Sequence, residues 1–206
     1  MSVIEILTPG RLASTACLLE VCAPKPGNVH RGADFEDLVF EDFVVSAELL
    51  GAVIDREADA PLGELILQVI RATREGVGTN TNLGLALLLC PLARCMQIQG
   101  RLDSSGISRV LGELAKRDAT SIYEAIRLAE AGGMPSVANA DIHGPAPDDI
   151  LQAMALAADY DLVARQYRDN FQTVFADVVP ALLTGRQKFD NLRQAIVYAH
   201  VLMLAR

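Results

Sequence analysis

The sequence predicts an all-α protein, a single compact multi-helix domain of about eight or nine helices that takes in residues 1–206. Three observations predict it. Hydrophobic residues make up 51% of the chain and aromatic residues only 5%, with no Trp, so the core must be built of Ala, Leu, Ile and Val, the composition of closely packed helices. Apolar residues recur at helical spacing in segment after segment, and no stretch alternates with the period of a strand. Capping residues and Pro or Gly breaks fall between those segments.

Thr8 reads as an N-cap with Pro9 at the first helical position, opening a helix to about Cys22. Helical projection puts Glu20 between Ala13 and Ala16, a carboxylate on an apolar face. Burying it alone would cost several kcal/mol, which favours a partner such as Lys25, a metal or a ligand hydroxyl. The pattern then breaks at Pro24-Lys25-Pro26-Gly27-Asn28-Val29-His30. Two prolines push the residues before them out of the α region, so Lys25 sits on stiff extended backbone. Gly27 allows a positive φ, and His30, Arg31, Asp34, Glu36 and Asp37 then place both signs of charge on one loop.

Phe40, Phe43, Val44, Ala47, Leu50 and Ile54 keep helical spacing, while Glu41, Glu48 and Asp55 share a separate, solvated face. Ser46 lies away from those acids and reads as a small core residue. Pro61 opens a third helix, to about Arg74, closed by Gly76-Val77-Gly78. Thr79, Asn80, Thr81 and Asn82 are four consecutive N-cap-type residues in front of the most apolar segment. One would cap the helix. Four suggest that a ligand, often a phosphate, shares the free amides at the positive end of its dipole, although capping alone explains them about equally well. The following helix is apolar all round, which predicts that Leu83 to Leu89 are among the most buried residues.

Further helices are expected near Ile107–Lys116 and Ser121–Ala131, after a capped loop at Arg101–Ser105, and a last one over Asn191–Leu204. Gly132-Gly133-Met134-Pro135 opens a long irregular stretch in which Asp141 is the candidate ligand contact. Asp148 and Asp149 read as acids at a helix N-terminus. From Ile150 to Phe175 the pattern stays helical, with Asp161 and Arg165 spaced as a structural i,i+4 pair.

Composition narrows the function classes. A formal charge of −8 with no local Lys/Arg cluster argues against nucleic acid. The longest uncharged apolar run, Leu83 to Ala93, is too short to span a bilayer, and the first residues lack the pattern of a secretory signal, so a cytoplasmic protein is expected. Cys17, Cys22, Cys90 and Cys95 form no metal-ligand spacing and read as buried reduced thiols.

Glu20 with Pro24-Lys25-Pro26-Gly27, an acidic loop, Phe43 with Ser46-Ala47, and Gly78-x-Asn80-Thr81 with Gly84 together resemble the triphosphoribosyl-dephospho-CoA synthase family. The likeness extends to Gly132-Gly133, Asp141 and the segment carrying Met154, Ala157-Ala158, Asp161, Ala164 and Tyr167. It implies an all-α transferase that joins ATP to 3′-dephospho-CoA with release of adenine, making the prosthetic-group precursor of acyl carrier proteins. Where such synthases usually have Asn-Thr-His-Lys and Val-Asp, this chain has Asn80-Thr81-Asn82-Leu83 and Val29-His30. These forms look more like an archaeal-type branch, also found in bacteria with methanopterin-linked one-carbon chemistry.

Displacing a base from ribose C1′ needs a carboxylate near the anomeric carbon, an activated hydroxyl nucleophile and neutralised phosphates. Lys25, Gly27 and the Thr79–Asn82 segment are expected at phosphate, Asn28 and Asn80 at ribose or base, and Glu20, Asp34 and Asp37 at Mg²⁺ or in base duty. Lys25, fixed between prolines, is the predicted phosphate cation. The helix end at Glu20, the Pro24–Asp37 loop and Thr79–Asn82 should then line one pocket. Expected partners are ATP and a small-molecule cofactor precursor, dephospho-CoA or a pterin-pathway intermediate, with homodimerisation left open. Two other classes stay open: a Mg²⁺-dependent N-glycosidic hydrolase, which would release adenine without an acceptor, and a non-catalytic nucleotide-binding protein.

Overall fold

A computed structural model describes residues 7–129, 142 and 144–205. Its helices are α1 (Pro9–Cys22), α2 (Phe40–Arg56), α3 (Leu62–Val77), α4 (Leu83–Gln99), α5 (Ser104–Gly112), α6 (Lys116–Ala129), α7 (Ile150–Ala157), α8 (Leu162–Arg168), α9 (Val179–Lys188) and α10 (Leu192–Leu204). A π-helical turn, Val174–Val178, leads into α9. Among the described residues the only strand-like pairing is an isolated bridge between His30 and Ala33, so the all-α expectation holds. Among the described residues the helices number ten rather than eight or nine because the Ile150–Phe175 segment divides: Asp161 caps a new helix instead of continuing the old one.

The centre of the molecule is α3. Leu65, Ile66, Val69 and Ile70 are essentially inaccessible because α3 packs against α2, α4 and α6 at once. The expectation for α4 needs correcting in that light. Leu83, Ala86 and Leu87 are buried, but Gly84 is exposed and Leu85, Leu88 and Leu89 are only half-buried. An apolar helix is covered only on the faces its neighbours reach, and although α4 is met by α1, α2, α3, α5, α6 and α8, none of them packs along it as closely as α2 and α6 pack along α3.

Two close approaches fix how the helices cross. At Gly10 and Gly51 the backbones of α1 and α2 touch: a Cβ on Gly10 would lie 2.1 Å from the Gly51 carbonyl oxygen. Gly63 meets the backbone of Asp118 in the same way, and Asp118 Oδ1 accepts the Gly63 amide at 2.8 Å while Oδ2 accepts that of Ala115 at 3.0 Å. One buried carboxylate thereby satisfies amides at the starts of both α3 and α6.

The acids of α2 do more than face solvent, as the sequence suggests they would. Asp55 accepts the Thr8 hydroxyl and, at 2.8 Å, the Gly10 amide, capping α1 from its neighbour, and Glu48 accepts the Ser14 hydroxyl at 2.9 Å. Asp161 and Arg165 also differ from the expected pair. Asp161 takes the amides of Val163 and Ala164, while Arg165 donates to the carbonyls of Ala158 and Asp159. Capping competes with the i,i+4 ion pair and wins, since a free helix-end amide gains more from a carboxylate than an exposed arginine does.

Asn191 caps α10 and Asp149 caps α7 as expected, and Asp148 pairs with Lys116 at 2.6 Å. Three of the four cysteines are buried and none is paired; Cys22 is half-buried. No single described helix is long and apolar enough to cross a membrane.

Candidate active site

The first helix ends as its residues dictate: Ala23 is extended, and its amide reaches back to the Glu20 carbonyl. Lys25 then folds under the helix end. Its ammonium donates to the Glu20 carbonyl oxygen and lies 2.9 Å from Glu20 Oε1, with the lysine side chain 4% exposed and that of glutamate 34%. A cation at a helix C-terminus is favourable in itself, and here it also holds the carboxylate. In this arrangement the ammonium faces Glu20, the partner the sequence also offers, and has little access to an incoming phosphate.

Gly27 adopts φ +78°, the left-handed conformation that the loop requires of it. Asn28 is half-buried next to buried Val29, and His30 and Ala33 close a tight turn through two backbone bonds of 3.1 and 2.8 Å. Beyond it the acids separate. Asp34 Oδ1 accepts the Phe40 amide at 2.8 Å and so caps α2, while Asp37 is exposed. Glu20, Asp34 and Asp37 therefore do not gather, and among the described residues no group of three or more His, Cys, Asp or Glu side chains could hold a metal ion. The proposed Mg²⁺ set fails for a simple reason: on an exposed loop a carboxylate finds a helix amide to cap more readily than it tolerates two like charges.

The four polar residues before α4 have separate tasks. Thr79 is half-buried; Asn80 Oδ1 accepts the Leu83 amide at 3.2 Å. Thr81 is buried, its hydroxyl 2.5 Å from that of Ser46 on α2. Asn82, the N-cap, makes no side-chain bond to its own helix; its carboxamide oxygen lies 3.1 Å from the Thr73 hydroxyl, and Nδ2 is buried without a partner. Asp141 lies outside the described residues.

Cys17, Glu20, Phe43, Ser46, Ala47, Thr81, Asn82 and Leu85 line one pocket of about 10 Å³, the room of a single water. It joins the end of α1 to the start of α4 as expected, but with side chains of α2 in place of the Pro24–Asp37 loop. Ser46 is the residue that sequence reasoning passed over. Its signals are a hydroxyl facing the α2 core stripe, where an Ala would pack as well, and its place with Ala47 among the residues that carry the family resemblance. Burial, with the Glu20 charge adding to it, pushes the Cys17 thiol up to about 12, so this sulfur is a neutral wall and no nucleophile.

Comparison with known families then decides the class: the family described as CitG, ATP:dephospho-CoA triphosphoribosyl transferase, matches residues 7–206. The chain belongs to this family. No curated protein and no solved structure matches it significantly. As a member of the triphosphoribosyl transferase family the chain is a transferase, and the family takes ATP as a substrate. The match runs through α1, α2 and α4, the three helices that build the pocket.

Proposed function

We propose that the protein transfers the triphosphoribosyl group of ATP to a hydroxyl of dephospho-CoA, with the pocket between α1, α2 and α4 receiving the ribose. In this reaction the C1′–N bond of ATP breaks, a C1′–O bond forms to the acceptor hydroxyl, and adenine leaves carrying the proton that the hydroxyl gives up. The observation that carries the reading is that a carboxylate, Glu20, shares a pocket with the N-terminal residues of α4 in a chain matched to this family over residues 7–206.

Each group has a task there. An oxocarbenium-like transition state gathers positive charge at C1′, which a carboxylate held in place stabilises more than water does. Lys25 holds Glu20 through both its carboxylate and its backbone carbonyl, so that little reorganisation is needed when the charge develops. The positive end of the α4 dipole, close to the pocket, favours the triphosphate. Mg²⁺ would enter with the nucleotide, held by its phosphates and one carboxylate rather than by a protein cage. With room for one water, the pocket must widen to admit a sugar, and its half-buried lining side chains, Glu20, Phe43 and Leu85, are the ones not held in the core.

The test is to incubate the protein with ATP, Mg²⁺ and dephospho-CoA, or in parallel a pterin precursor, and to follow adenine by chromatography. Adenine release that requires dephospho-CoA is expected. Glu20→Gln should slow it by about 10² to 10⁴-fold. Release at equal rate without any acceptor would replace this reading with a hydrolase, and ATP binding without release would replace it with a binding protein.

A further inference from the structure

The Thr73 hydroxyl, 2% exposed on α3, is surrounded by oxygen. It lies 3.0 Å from the Val69 carbonyl, 3.1 Å from that of Ile70 and 3.1 Å from the Asn82 carboxamide oxygen. A hydroxyl has one proton to give and two lone pairs to offer, so at most one of three acceptors is properly served. Meanwhile the Asn82 nitrogen, on a side chain 5% exposed, has no acceptor at all. Both deficits vanish together if the carboxamide turns by half a revolution. The Thr73 proton then goes to Val69, the Asn82 nitrogen donates to the Thr73 oxygen, and one hydrogen bond is gained with no change of shape. What remains unpaired is the Asn82 oxygen.

We infer that Asn82 donates to Thr73 and turns its carbonyl oxygen to the pocket, making the Glu20–Ser46–Thr81–Asn82 pocket a receptor for hydrogen-bond donors, the hydroxyls of the ATP ribose, and not for phosphate. The inference rests on the transferase reading for the identity of the ligand. Glu20 is an acceptor, the Asn82 oxygen is an acceptor, and the Ser46–Thr81 hydroxyl pair can both give and take. A phosphate, which has only acceptors at its rim, would meet a carboxylate and a carbonyl there. A sugar hydroxyl, donor and acceptor in one, suits all three. Asn82 is thus a ligand-reading residue, and three of the four polar residues before α4 divide between capping by Asn80 and sugar recognition by Thr81 and Asn82.

Two measurements test this. In the free protein, with side-chain amides labelled by ¹⁵N-asparagine, the Asn82 amide protons should exchange slowly and show their strongest cross-relaxation to Thr73; fast exchange with cross-relaxation mainly to Ser46 and Glu20 overturns the orientation. In binding assays, wild type should prefer ATP over 2′-deoxy-ATP by about tenfold and treat ITP, which lacks the adenine amino group, like ATP. Asn82→Asp keeps the acceptor and should keep that preference, whereas Asn82→Leu should erase it while inorganic triphosphate binds as before. Loss of ATP and triphosphate binding by about a hundredfold in Asn82→Leu would show a phosphate donor and overturn the inference. So would discrimination against ITP in place of 2′-deoxy-ATP. Wild type that binds no nucleotide would sink the transferase reading, and the amide orientation would still be decided by the resonance experiment.

Discussion

Replacing Lys25 by Ala separates the structural role of this lysine from the phosphate role that its sequence context suggests. The ammonium lies 2.9 Å from Glu20 Oε1 and also takes the Glu20 carbonyl at the end of α1, with the lysine side chain 4% exposed. Truncation removes a charge-assisted bond of roughly 1.5–3 kcal/mol and strands a carboxylate, while the Glu20 carbonyl keeps the Ala23 amide. A fully buried stranded charge would raise that to about 3–5 kcal/mol. Glu20, however, is 34% exposed, so water relieves part of the loss and about 2 kcal/mol is the reasonable expectation. For a chain of this size that corresponds to a fall in Tm of roughly 4–8 °C. Repeating the truncation in a Glu20→Gln background should cost only about 1 kcal/mol, because no charge is stranded. Thermal unfolding and ATP affinity are measured on the same samples. A Tm equal to wild type together with ATP affinity weakened tenfold or more would refute the reasoning and return Lys25 to the phosphate.

Three further outcomes follow from the geometry. Gly51→Ala drives a methyl into the Gly10 carbonyl, 2.7 Å from the ideal Cβ position, and should push α1 from α2, lowering the urea midpoint by the equivalent of about 2–4 kcal/mol and disturbing the Glu20–Ser46 pocket with it. A variant as stable as wild type would mean that the two backbones do not touch. Bonds from the Gly106 amide and from the side chains of Ser105 and Gln99 lower the Asp103 pKa from 3.8 to about 2, so its stabilisation is present above about pH 4 and lost as pH falls towards 2. Asp103→Asn should flatten that acid limb in urea titrations at pH 5, 3 and 2, and an unchanged limb would contradict it. Burial raises the thiols of Cys17 and Cys90 well above their ordinary range, so iodoacetamide at pH 8 should label Cys22 first in native protein, and all four cysteines only after denaturation. Rapid native labelling of Cys90 would show that the core at α4 opens.

Some of this protein is determined by sequence alone. Local chemistry acts within a few residues, so Thr8 and Pro9 at the start of α1, Asn191 at the start of α10, the break at Pro24-Lys25-Pro26 and the left-handed Gly27 follow from steric and capping rules whatever surrounds them. Composition likewise excludes a sheet, since a chain rich in Ala and Leu with helical spacing throughout has nothing from which to build one. The family resemblance is legible for a related reason: two of its motifs, Pro24-Lys25-Pro26-Gly27 and Gly78-x-Asn80-Thr81, sit at breaks between helices.

Tertiary structure decided which partner each polar group took. Asp34 could bind a metal or cap a helix, and the approach of the Phe40 amide settled it. Ser46 was indistinguishable from a core filler until α2 met the start of α4 and set its hydroxyl against Thr81. The burial of α3 over α4 depends on how closely the neighbours pack along each helix, and both read as apolar. The physical reason is common to all three. Hydrogen bonds, ion pairs and burial are made across space with residues 6, 35 or 55 positions away, as from Asp34 to Phe40, Ser46 to Thr81 and Gly63 to Asp118, and a one-dimensional pattern records a group's capacity to bond but not its choice of partner.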